Sequence, residues 1–189
     1  VSFMPQMDMG MTHTTPFENP VADASENGLF SGAVVFVMPS SSGSNWSLTT
    51  HVNNTQTGNE GDFISAVNVI QPTPSKEYSL VAQDDSSMLF VSMVEPKSPQ
   101  IGSNDFELTI HKKMDKMHFA PDSSYTVEIT PEMPSMGHGS PNNIEPISTG
   151  NGHYAGKVNF IMGGGWRVHI ILMHSGVISD STHYFDVNI

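Results

Sequence analysis

The sequence predicts an all-β chain built as tandem immunoglobulin-like antiparallel β-sandwiches. Three observations lead there. Gly and Pro are plentiful, 16 and 13 of 189 residues, while charged residues make up only 14%. Helical proteins usually carry more Glu, Lys and Arg. Short apolar runs alternate with period two between turn signals, as half-buried strands do. The chain also repeats itself, a feature that outweighs local propensity.

The repeat runs through both halves. "GLFSGAVVFVM" (Gly28 to Met38) matches "GHYAGKVNFIM" (Gly152 to Met162), both reading Gly-x-aromatic-small-Gly-x-Val-x-Phe-x-Met. Trp46 and Trp166 match, and Val67 and Val187 follow them at the same spacing. "MPQM" at Met4 matches "MPSM" at Met133.

In the second unit, "MLFVSMV" (88–94), "FELTIHK" (106–112) and "YTVEI" (125–129) read as strands before the Met-rich loop. After it, "KVNFIM" and "WRVHIILM" alternate, with Val158, Phe160 and Met162, then Trp166, Val168, Ile170 and Leu172 facing inward. The run Gly163–Gly165 between them reads as a hairpin turn. Residues 1–72 form the first repeat, 73–86 a linker around "QPTPSKE", and 87–189 the second repeat. Only three residues precede Met4, so the first sandwich is expected to lack its N-terminal strands and the chain to begin inside a domain.

Charge and composition exclude several function classes. The formal net charge is −12, with seven Lys and Arg against nineteen Asp and Glu. Nucleic acid and anionic membrane surfaces are poor partners for such a chain. Cysteine is absent, which removes disulfides, thiolate zinc sites, iron–sulfur clusters, cysteine nucleophiles and blue-copper centres. No run reaches the 18 or so apolar residues of a transmembrane helix. The first residue is Val1, with no signal-like segment, so a processed product is expected, its export signal or lipid anchor lying outside this sequence. No GxSxG, HExxH, phosphate-cradling or dinucleotide motif is present, and the chain does not read as an enzyme.

Methionine is the chemical oddity, at 13 residues. Met38 and Met162 end inward rows and belong to the core. Met4, Met7, Met9, Met11, Met133 and Met136 sit instead beside Pro, Gly, Asp and His, where no apolar period needs them. Thioether and imidazole without thiolate suit copper, Cu(I) above all. The candidate ligands are Met133, Met136 and His138 in one loop and Met4, Met7, Met9, Met11 and His13 in the other, with His153 closing the second site. His111, Met114, Met117 and His118 form a further cluster that reads as an extra ligand source near the Met133 loop or as a solvated strand end. His169, Met173 and His174 read as surface residues. Each loop has an alternative as a packed structural element, its Met side chains tucked under the sandwich edge.

"FELTIHKK…SSYTVEITPEMPSMGHGSPNN…GNGHYAGKVNFIMGGGWRVHI" resembles the YtkA-like/FixH-like family of small exported bacterial β-sandwich domains. The likeness covers about residues 87–189, with the Met133–His138 loop and the strands of 152–168 most specific. The first unit matches more weakly and has no Arg after Trp46. The resemblance implies an immunoglobulin-like fold, a place in the periplasm or at the cell surface, and a part in copper handling or oxidase assembly. FixH-type proteins usually carry a membrane anchor, which this sequence does not show. Sequence alone thus leaves two readings. One is an extracytoplasmic copper carrier or buffer, with a protein partner in metal transfer. The other is a non-metal structural or protein-interaction module of the bacterial cell surface.

Overall fold

A computed structural model describes residues 1–8, 12–22 and 28–189. It is all-β and divides into two compact units. Unit 1 comprises Val1–Gln71 and Met114–Phe119, and unit 2 comprises Pro72–Lys113 and Ala120–Ile189. Among the described residues no helix is long and apolar enough to cross a membrane.

Unit 1 holds β1 (Ser2–Asp8), β2 (Thr12–His13), β3 (Phe17–Ala22), β4 (Phe30–Val34), β5 (Trp46–Asn54) and β6 (Asn59–Val67). One sheet has the order β2-β1-β5-β6, and β3 pairs β4 separately. Met7 and Trp46 are buried, while Phe63 and Ile64 on β6 stay about 69% and 68% exposed.

Unit 2 holds β7 (Glu77–Val81), β8 (Met88–Glu95), β9 (Gly102–Lys113), β10 (Phe119–Pro121), β11 (Tyr125–Met133), β12 (His138–Gly139), β13 (Ile144–Gly150), β14 (His153–Phe160), β15 (Gly165–His174), β16 (Val177–Asp180) and β17 (Tyr184–Asn188). One sheet runs β13-β14-β9-β8-β7, with β10 on β9. The other runs β12-β11-β15-β16, with β17 on β15. The inward rows of both sheets meet in one apolar core that includes Phe106, Ile110, Phe160, Trp166, Ile170 and Phe185. The strands read from 88–94, 106–112 and 125–129 appear as β8, β9 and β11. β7 falls inside the stretch read as a linker; it pairs β8 and buries Leu80 in the core. That strand is short and flanked by Pro and Ser, which hid it.

Two sequence expectations need correction. Gly163–Gly165 is not a hairpin turn, because β14 and β15 lie in different sheets. The glycines carry the chain across the sandwich, and Gly164 exchanges both backbone hydrogen bonds with Ile189, at 3.0 and 3.1 Å. Alternation identifies the buried face of a strand but not its neighbour, so it cannot separate a hairpin from a crossover.

The second correction concerns the repeat frame. Pro5 pairs Leu48, whereas Pro131 pairs Val168. Trp46 pairs Met7 and Val67, and Trp166 pairs Val187. Glu132 pairs Arg167, which brings Met133 next along that register to Trp166. Met7 is therefore the counterpart of Met133, and Met4 corresponds to Thr130.

Side-chain bonds repeat in the same frame. The Phe3 N–H donates to Asn19 Oδ1 at 2.8 Å, and the Ile129 N–H donates to Glu145 Oε2 at 2.7 Å. Each donor precedes its Pro by two residues, and each acceptor is followed by a Pro. The strand carrying each of those prolines shifts register there, and a glycine of the paired strand faces the shift. A Cβ on Gly32 would meet the Glu18 carbonyl oxygen at 2.7 Å, and one on Gly156 would meet the Ile144 carbonyl oxygen.

Candidate functional site

Each unit builds the same corner where its Met-rich loop leaves the sheet. In unit 2, β11 carries Met133 inward, and a turn closed by the Met136 and Gly137 N–H groups on the Met133 carbonyl returns the chain into β12. Gly137 has φ 65°, which favours glycine there. Met133 then pairs His138. In unit 1, β1 carries Met7 inward and β2 returns so that Met7 pairs His13.

The tryptophan anchors each corner. Trp46 Nε1–H donates to the Met38 carbonyl and Trp166 Nε1–H to the Met162 carbonyl, both at 3.0 Å. Phe36 stands against Trp46 at 5.2 Å between centroids, and Phe160 against Trp166 at 5.5 Å. On the other side His13 meets Trp46 edge-on at 5.2 Å, and His138 meets Trp166 at 5.9 Å.

The histidines are also held alike. His13 Nδ1 lies 3.2 Å from the Thr14 carbonyl, and His138 Nδ1 lies 3.1 Å from the Gly139 carbonyl. A carbonyl only accepts, so Nδ1 carries the proton and the neutral ring keeps a lone pair on Nε2. His13 Nε2 is buried and has no hydrogen-bond partner among the described residues. A buried, unpartnered ring nitrogen calls for a specific explanation.

The predicted ligands divide unevenly. Met133 is 3% exposed, within the core, with its Cε next to Gly164. Met136 is 60% exposed on the turn. A cleft of about 440 Å³ opens beside that turn, lined among others by Pro134, Ser135, Gly165, Trp166 and Asp186. Met7 is buried, whereas Met4 is exposed on the opposite face of β1. Met9 and Met11 lie outside the described residues.

His153 does not join the second site. It starts β14 beside Tyr154, whose hydroxyl accepts from the Tyr125 N–H at 3.0 Å. Tyr125 opens the nine-residue β11 and Met133 ends it, roughly 26 Å apart at a strand's rise. His153 Nδ1 instead meets Glu107 Oε1 at 2.6 Å.

The 111–118 cluster is split. His111 is buried in β9, whereas Met114 to His118 belong to unit 1 and not to the Met133 loop. On the surface of unit 2, His169 Nε2 contacts Glu132 at 2.9 Å and His174 Nδ1 contacts Asp84 at 2.8 Å.

Among the described residues, no three or more His, Cys, Asp or Glu side chains group as a metal centre. A carboxylate-rich site is therefore not what either corner offers. The corners instead offer thioether, imidazole and indole.

Residues 84–171 match the family model described as YtkA-like. This stretch is similar to a YtkA-like domain. It takes in β8 to β14, most of β15 and the whole Met133–His138 corner. Unit 1's own strands β1 to β6 lie outside the match, although they repeat the geometry of the YtkA-like domain. No curated protein and no solved structure matches the chain.

Sequence reasoning missed the carbonyls that fix the imidazoles, because backbone acceptors leave no residue signature. It also missed His51. A signal was available there: "NNTQTGNE" closes the β5–β6 hairpin and sets His51 opposite Asp62.

Proposed function

We propose that the chain is an extracytoplasmic copper-handling protein that carries or buffers the ion through its Met/His corners, without turnover. The supporting observation is the corner made twice, each with a thioether paired to an imidazole whose Nε2 is kept free of the proton. Soft neutral donors of this kind select Cu(I) over hard cations. A hydrogen bond on the far nitrogen is how proteins orient a metal-ligating histidine. The neighbouring indole adds attraction for a monovalent cation. In unit 2 the ligands are Met133, Met136 and His138. In unit 1 they are Met7 and His13, with Met9 and Met11 between them in the sequence. The periplasmic or cell-surface location follows from the likeness to exported domains, and the partner would be a protein that exchanges the ion.

One observation favours the second reading, a non-metal structural or interaction module. Met133 is packed into the core, as a structural side chain would be. Anaerobic Cu(I) titration against a competing chelator separates the two. The Met133→Leu/Met136→Leu variant should lose the unit 2 equivalent and keep that of unit 1, and the His13→Gln/His138→Gln variant should bind about tenfold more weakly, or worse, at both corners. Equally weak binding by all three proteins would leave the structural module standing.

A further inference from the structure

A different face of unit 1 gathers a second set of soft donors. Met4 pairs Thr49, and His51 pairs Ser2, so Met4 and His51 are diagonal neighbours on one face of the β1/β5 pair. Asp62 stands opposite His51 on β6. The segment Met114–Phe119 adds Met117 and His118, seated where the Thr14 N–H donates to the Lys116 carbonyl at 3.1 Å. Met4, His51, Asp62, Met117 and His118 line one cleft of about 520 Å³, whose apolar wall includes Phe3 and Phe17.

Both imidazoles are oriented from behind. His51 Nδ1 lies 2.8 Å from Asp62 Oδ1, and His118 Nδ1 lies 2.8 Å from Asp115 Oδ2. Ionised carboxylates only accept, so each Nδ1 donates and each neutral ring keeps its lone pair on Nε2. Carboxylate–histidine pairs are the usual support behind metal-ligating imidazoles. Two such pairs and two thioethers lining a single cleft have no role in the core, because Met4 is 46% exposed and the His118 side chain 73% exposed.

We infer that this cleft is a further copper site, with Met4 Sδ, Met117 Sδ, His51 Nε2 and His118 Nε2 as its donors. It shares no ligand with the two Met–His–Trp corners and stands or falls apart from them. The Asp62 and Asp115 carboxylates give it a more anionic surround than the corners, whose ligands are neutral.

The test is NMR on the full chain with methyl-labelled methionine, titrated with silver(I), a diamagnetic stand-in for Cu(I). The Met4 and Met117 methyl signals and the His51 and His118 ring signals should move together within one equivalent. They should do so equally in a Met7→Leu/Met133→Leu/Met136→Leu chain, in which the corners are disabled and the cleft is intact. Met4→Leu/Met117→Leu should remove one equivalent of uptake and leave the Met133 and His138 shifts in place. Should the four cleft residues stay unmoved, or move only in large silver excess, the cleft is not a metal site. Movement at the cleft with none at the corners would uphold this inference and count against the corner reading.

Discussion

Trp166 stands in unit 2 on a full apolar foundation, with Phe160, Val168, Ile170, Phe185 and Val187 all buried around or beside it. Trp46 makes the same hydrogen bond, the same contact with a phenylalanine and the same edge contact with a histidine in unit 1. Its surroundings are much thinner: unit 1 buries Pro5, Thr14, Thr15, Pro16 and Pro20 along with Met7, and leaves Phe63 and Ile64 exposed. Counterparts of β7 to β9 are not among the described strands of unit 1. The corner geometry therefore depends on a local set of residues, Pro-x-Met, the returning His, the Phe and the Trp, and not on the sandwich as a whole.

The strongest way to break this comparison is to remove the anchors. Trp166→Ala should cost unit 2 about 3–5 kcal/mol in urea unfolding. Trp46→Ala should abolish the unit 1 transition and leave that of unit 2 in place. A cost below about 1 kcal/mol at Trp46 would show that the unit 1 corner is not held by its indole.

A smaller effect is expected where the strands approach across the bulges. Gly32→Ala and Gly156→Ala each set a Cβ against a backbone carbonyl, and each should destabilise its own unit by about 1–3 kcal/mol. Thermal scans with unit-specific probes would check that the two penalties agree. A penalty at Gly156 alone would limit the shared frame to the corner.

The smallest effect is a pH dependence of unit 2. Burial raises the Glu77 carboxyl in unit 2 to about 7, against an ordinary value of about 4.3. Its stabilising contribution is complete below the ordinary value, falls as pH rises towards 7, and is absent above that. Unit 2 should lose stability across this window. Glu77→Gln should flatten the unit 2 profile; an unchanged slope would assign the loss to other groups.

The duplication was readable from identity alone, but its frame was not. Matching "MPQM" to "MPSM" by letters aligned Met4 with Met133, whereas strand register aligns Pro5 with Pro131 and Met7 with Met133. The second loop offers both Pro131 and Pro134 as counterparts of Pro5, and letters do not reveal that strand pairing selects Pro131. The inward rows Val158–Phe160 and Trp166–Leu172 were legible because alternation reports burial directly. The sheet to which each row belonged was not, since partner choice is set by contacts distant in sequence. The same limit placed His153 at the wrong end of the sandwich. It also kept Met4, His51 and His118 apart until folding brought them to one cleft.

The backbone carbonyls behind His13 and His138 have a consequence for exchange. They fix which nitrogen is protonated before anything arrives at the other. An electrophile taken up at Nε2 of the neutral ring displaces no hydrogen ion, and one released there consumes none. Where both rings are neutral, transfer between two corners of this kind would move no hydrogen ion, and its direction would follow the relative affinities of the two sites.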